Sequence, residues 1–162
     1  LFRPYKTTID QDGSYNFISD QNHTYLVYFS EYKLSDAEGN EHTTYNLGFL
    51  KNGDFKNKSF KDKYDNRVSD TIIAIVNEFF LKNSHRALIY FCFGDDGYAR
   101  HRNIVFNQWS KNLHLSLEKH NNSIPFESTI LYSSLILVKN NPLKKLIITA
   151  FDKYLDEMSN KI

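Results

Sequence analysis

The chain has little of the residues that mark special cases. It holds one cysteine, Cys92, so no internal disulfide can form and no secreted disulfide framework is implied. Three Pro and six Gly exclude a collagen-like or Pro-rich chain. No apolar run approaches the roughly 18 residues of a membrane span. The opening Leu1-Phe2-Arg3-Pro4 runs into a polar, charged stretch with no apolar leader core, so cytoplasmic residence is expected. The start at Leu leaves room for residues upstream. Neither sign of charge dominates, since 20 basic residues face 19 acidic ones. The sequence pI near 8.0 falls below the value of about 9 usual for a domain built to bind nucleic acid.

What is present is an ordinary globular composition. Hydrophobic residues make up 41% and charged residues 24%, which argues against a disordered chain. The 162 residues predict one domain over 1–162, large enough to bury a core without disulfides or a metal. Charge is uneven along it. Residues 1–50 carry three basic and seven acidic groups, and residues 51–162 carry the excess of base.

The pattern of apolar residues predicts the elements. Ser14 to Ser19 reads as a short strand and Asp20-Gln21-Asn22 as a turn. His23 to Tyr32 is apolar on both faces, as a central strand would be. A polar turn at Ser35–Asn40 leads to Thr43–Leu50, where Tyr45, Leu47 and Phe49 alternate with Thr44, Asn46 and Gly48. Residues 51–67 break all periodicity and read as a long loop. Ser69 is placed as the N-cap of a helix from Asp70 to about Lys82, with Ile72, Ile73, Val76, Phe79 and Phe80 as its apolar stripe and Asn83 as its stop. Ala87–Phe93 is an apolar run, hence a buried strand. A helix follows from about Tyr98 to Lys111. Leu113, Leu115 and Leu117 alternate with His114, Ser116 and Glu118 as in a half-exposed strand, and Thr129–Lys139 pairs back on it. Asn141 and Pro142 start the last helix, with Leu143, Leu146, Ile147, Ala150, Tyr154, Leu155 and Met158 as its buried stripe. The expectation is an α+β fold: a mainly antiparallel, mixed sheet of about six strands with three helices, in the order β-β-β-α-β-α-β-β-α.

From Ser14 to Lys139 that order resembles the later core of the GNAT acyltransferase fold, from its second strand to its last. The resemblance implies acetyl-CoA as cofactor, its pyrophosphate cradled by the amides that open the first helix after the meander. In that family this helix begins Arg/Gln-x-x-Gly-x-Gly/Ala. Here the stretch is Arg67-Val68-Ser69-Asp70-Thr71-Ile72, in which Arg67 alone matches, and Asp70 and Ile72 stand where the glycines would be. A second stretch joins Leu88-Ile89-Tyr90-Phe91-Cys92-Phe93-Gly94-Asp95-Asp96-Gly97 to Arg100-His101-Arg102 and Phe106-Asn107-Gln108-Trp109. With Ile130–Ile136 and Asn141-Pro142 it looks like an uncharacterised bacterial domain-of-unknown-function family, which brings no activity with it.

Four groupings can carry chemistry. Asp95, Asp96, Arg100 and Arg102, with His101, form the densest polar cluster, at the end of a buried strand. The arginines would grip a phosphate or carboxylate, or the aspartates a cation; alternatively Asp96 is a helix cap and Asp95 answers the helix dipole. Lys58, Lys61, Lys63 and Arg67, interleaved with Phe55, Phe60 and Tyr64, would suit a nucleic-acid backbone and its bases; alternatively they form a solvated loop. Phe106 and Trp109 read first as core, and exposed together they would mark a protein contact. Cys92 reads as a small buried hydrophobe. The histidines give no metal pair at helical spacing, so no metal is expected; His114 and His120 lie six apart, in or beside one strand.

The expected function is that of a small cytoplasmic bacterial interaction or accessory protein without catalysis, of immunity, antitoxin or phage-conflict type, with a protein partner or a homodimer and no cofactor. The alternative is a GNAT-like acyltransferase, intact or degenerate, using acetyl-CoA. Nucleic-acid binding through residues 51–67 is a third reading.

Overall fold

A computed structural model describes residues 1–52, 65–93, 99–113 and 116–161, leaving aside the side chains of residues 52 and 99–102. The elements are β1 (Thr8–Ile9), β2 (Tyr15–Ile18), β3 (Thr24–Ser35), β4 (Glu41–Asn52), α1 (Asn66–Lys82), β5 (Ala87–Cys92), α2 (Ala99–Ser110), β6 (Leu117–Phe126), β7 (Thr129–Val138) and α3 (Lys144–Asn160). They form one mixed sheet in the order β1-β2-β3-β4-β5-β7-β6. Among the described strand pairs the β4–β5 junction alone is parallel. The α+β class and the element order are those expected, and the sheet has seven strands because residues 8–9 add a two-residue edge that no hydrophobic pattern announces.

Alternation decides which face each strand residue serves. On one face Tyr15, Phe17, Tyr25, Val27, Leu47, Leu88, Tyr90 and Cys92 pack under α1 and α2. On the other Leu34, Ala87, Ile89, Leu131, Leu135 and Leu137 pack under Ile147, Ala150, Phe151 and Leu155 of α3. β3 is the third strand of seven, buried at Val27 and Leu34 on opposite faces. Gly48 of β4 lies opposite Tyr28, whose ring crosses it so closely that a Cβ there would sit 2.0 Å from the ring.

Several local expectations are corrected. α1 starts at Asn66, and its cap is Asp65, whose carboxylate accepts from the Arg67 N–H at 2.9 Å. Ser69 is buried inside the helix and donates to the Asn66 carbonyl. The stretch 51–67 is therefore not one loop: its first two residues extend β4, its last two open α1, and residues 53–64 lie outside those described. β6 begins at Leu117 and runs on to Phe126, its polar residues held by partners rather than by burial. α3 begins at Lys144, while Asn141 shapes the turn before it, its Oδ1 accepting from the Leu143 N–H at 2.9 Å. Leu143 and Leu146 lie on the exposed side of this segment, and Phe151, absent from the expected stripe, is completely buried.

Candidate functional site

β4 and β5 pair over three residues only, Thr44–Asn46 against Ala87–Ile89. β5 stays paired to β7 through Cys92. Beyond Asn46 and Ile89 the two parallel strands carry no register, so the sheet opens toward their C-terminal ends. α1 follows one strand and α2 the other, so both helices start on that side. Parallel strand ends where the order of strands reverses are the usual place for ligands in open sheets. The candidate site is this opening with the helix starts around it.

The chain itself occupies the start of α1. The Arg3 N–H donates to Asp70 Oδ2 at 2.8 Å, and the Tyr5 N–H donates to Thr71 Oγ1 at 2.8 Å. The Tyr5 hydroxyl donates to Asp65 Oδ2 at 2.7 Å and accepts from the Asp20 N–H at 3.0 Å. Burial is the main cause that raises the Tyr5 phenol above its ordinary pKa. The Arg67 guanidinium lies 3.9 Å from the Tyr5 ring centre, donates to the Arg3 carbonyl at 3.0 Å and pairs with Asp20 at 3.0 Å. Of the four basic residues singled out from residues 51–67, Arg67 is thus a clamp on residues 3–5 and Asp20; Lys58, Lys61 and Lys63 lie outside the described residues. An open hollow of about 440 Å³ adjoins this clamp, lined by Leu1, Phe2, Asp70, Lys111, Asn112 and Leu113.

α2 packs its aromatic side inward. Phe106 stacks on Tyr90 with ring centres 4.4 Å apart, and Trp109 meets Phe106 edge-on at 5.1 Å. Both are half-buried against the aromatic core, as the core reading of these two residues expects. Asp95 and Asp96 lie outside the described residues; Arg100 and Arg102 fall in the first turn of α2, with side chains outside them. Cys92 is buried on the α1–α2 face.

Beneath α2 lies a polar group that the sequence reading missed. Ser134 Oγ donates to Asn121 Oδ1 at 2.6 Å, across the β7–β6 pair. Lys119 Nζ donates to Asn107 Oδ1 of α2 and lies 5.3 Å from the Tyr90 ring centre. The Tyr90 hydroxyl is buried, with Ser134 as its cross-strand neighbour, and no well-formed hydrogen bond reaches it among the described residues, although the Ser134 hydroxyl lies close enough to offset part of the effect of burial on the phenol. Burial pushes the Tyr90 phenol up, and burial also pulls the Lys119 ammonium down to about 8. The available signal was the odd-numbered alternation Leu117, Lys119, Asn121. It places a lysine in step with a core leucine, but it begins where the expected strand ended.

On the opposite face His120 meets Asp152 at 2.9 Å and Asn122 donates to the same oxygen at 2.9 Å; His114 is outside the described residues. Among the described residues no three His, Cys, Asp or Glu side chains gather as a metal site, and no helix is long and apolar enough to cross a membrane.

A mixed α+β sheet opened between its two parallel strands, with residues 3–5 laid across the adjoining helix start, defines the architecture. Residues 64–153 match the Family of unknown function (DUF6169), and since that span exceeds half the chain, the protein belongs to this family. The comparisons with curated proteins and with solved structures found no match.

Proposed function

We propose that the chain is an interaction or accessory protein without catalysis, of the immunity, antitoxin or phage-conflict type, working in the bacterial cytoplasm through a protein partner. The observation that carries this is an apolar area on the sheet. α3 covers β5, β7, β6 and the hairpin end of β3, but Ile18, Leu26, Tyr28 and Leu50 of β2, β3 and β4 share that face beyond its reach. Ile18 is 59% exposed and Leu50 52%. Tyr28 lies flat over Gly48, which keeps the area smooth. A continuous apolar area on a small soluble protein favours contact with another protein.

One observation favours the second reading, a GNAT-like acyltransferase: the strand order with its opening between β4 and β5 suits an extended thioester cofactor such as acetyl-CoA. The start of α1 speaks against it. Asp65 already accepts from the Arg67 amide, Asp70 adds a second carboxylate, and two carboxylates near the start of one helix repel a pyrophosphate. Nucleic-acid contact through residues 51–67 ranks third, since Arg67 is already engaged.

The test has two arms. A photo-crosslinking residue at position 50, expressed in cells, should trap a discrete protein adduct, and Leu50→Asp with Ile18→Asp should abolish a dimer if the adduct is a second copy. Acetyl-CoA should leave the melting temperature unchanged. No adduct, together with a monomer in solution, ends the interaction reading; a rise of several degrees with acetyl-CoA establishes the second one.

A further inference from the structure

Lys119 is the third residue of β6, on the face that α2 covers. The described elements packed around its amine are these. From α2 comes Asn107, whose Oδ1 accepts from Nζ, with Phe106 and Trp109 along the same helix. From β5 come Tyr90, with its ring 5.3 Å away, and Cys92. From β7 comes the cross-strand partner Ile136, and along β6 come Leu117 and Asn121. The titratable groups among these are the Tyr90 phenol and the Cys92 thiol, and no carboxylate among the described residues pairs with this amine. Glu118, next in sequence, points to the other face and takes Lys144 at 2.9 Å. Lys33, Lys82, Lys144 and Lys153 each have a carboxylate, so Lys119 differs from them in kind.

A half-buried ammonium facing a neutral amide and a ring loses hydration that no opposite charge among the described residues replaces. The structure therefore shifts the balance toward the neutral amine, which has a lone pair to give, and holds a sizeable minority of it near neutral pH. We infer that Lys119 is a reactive amine, a modification site that takes an acyl group from an activated donor of the acyl phosphate class. The Nζ lone pair attacks the acyl carbon and a C–N bond forms. The C–O bond to phosphate breaks, phosphate leaves with that electron pair, and the proton shed by nitrogen passes to water. The product suits the place: the amide N–H can still donate to Asn107, and the half-buried charge is gone.

The test is site-resolved mass spectrometry of the full chain treated with acetyl phosphate across a pH series. With the amine held near 8, roughly a quarter is neutral at about pH 7.5, against about one part in a thousand for an ordinary lysine. Lower basicity gives part of that back, so Lys119 should react about tenfold faster than Lys82 or Lys145, with a midpoint near 8. Asn107→Asp sets a carboxylate against the amine; it should raise the midpoint and bring the rate at about pH 7.5 down to that of the surface lysines. Lys119→Arg should remove the label at this position. A Lys119 rate no faster than that of surface lysines, or a midpoint above about 10, overturns the inference. If Asn107→Asp fails to fold, the pH profile of the unmodified sequence decides alone.

Discussion

The two faces of the sheet are built differently. Under α3 the fully buried cluster is aliphatic around one ring, Phe151, with Tyr32, Phe91, Phe126 and Tyr154 half-buried against it, and polar groups at its border are matched to one another. Asp36 shows this best: its carboxylate accepts from the Glu38 and Asn40 N–H groups at 2.9 Å each and meets His42 Nε2 at 2.9 Å, while Lys153 donates to its carbonyl at 3.1 Å. Under α1 and α2 the cluster is aromatic, with Phe17 on Tyr25 at 4.9 Å, Phe29 on Phe79 at 4.8 Å and Tyr90 on Phe106 at 4.4 Å. There, among the described residues, the Tyr90 hydroxyl has no well-formed hydrogen bond, and the Lys119 ammonium faces a neutral amide and a ring rather than a carboxylate. Buried polarity that is fully matched specifies the fold; buried polarity that is unmatched costs stability, and so points to chemistry beyond folding.

The largest expected effect tests the α3 face as the anchor of the fold. Phe151 has no exposed surface, so Phe151→Ala should cost about 3–5 kcal/mol in urea melts. Phe106→Ala removes a half-buried ring from the other face and should cost about 1–2 kcal/mol. Equal losses from the two truncations would erase the contrast between the faces.

A smaller effect appears in acid. The His42 hydrogen bond, with help from the Asn40 and Glu38 amides, holds the Asp36 carboxyl at about 2, below the ordinary 3.8. Its contribution is complete above about pH 4 and disappears as the pH falls toward 2, because the unfolded chain takes up the proton first. Melting temperature should therefore drop more steeply between about pH 5 and pH 2.5 in the unmodified chain than in Asp36→Asn. Parallel slopes would mean that the turn does not depend on this carboxylate.

The same contrast explains what could be read in advance. β5 and β7 face two cores, so Ala87–Cys92 is a plain apolar run and Thr129–Val138 is apolar on both faces around Ser133 and Ser134. The stripe of α1 was legible from Ile72 to Phe80 because helical spacing repeats. Its start was not, because Asp65, Asn66 and Arg67 resemble the charged stretch before them, and only the contact with Tyr5 and Asp20 gives them a role. β6 hid for a related reason. Lys119, His120, Asn121, Asn122 and Ser123 have no strand-like alternation of apolar residues; they are held by β7 along one edge and by Asn107, Ser134 and Asp152 on the two faces. The candidate site divides along the same line: Phe106 and Trp109 were legible as apolar, whereas the polar set beneath α2 exists only through pairing of distant strands.

The finest test concerns the unmatched hydroxyl. Tyr90 is buried, its ring lies against Phe106, and its neighbour across the strand pair, Ser134, gives its proton to Asn121. Tyr90→Phe keeps the ring, and with it the stack and the surface facing Lys119, while removing a buried oxygen for which no well-formed hydrogen bond exists among the described residues. Leaving such a group unsatisfied costs about 1 kcal/mol or more, so the variant should gain about that much, a rise of roughly 2–4 °C in melting temperature. Acylation of Lys119 should keep its pH profile, because the ring rather than the hydroxyl faces the ammonium. A loss of stability in Tyr90→Phe would show that the hydroxyl is bonded in solution, and the two faces would then differ in their rings and not in how their polar groups are satisfied.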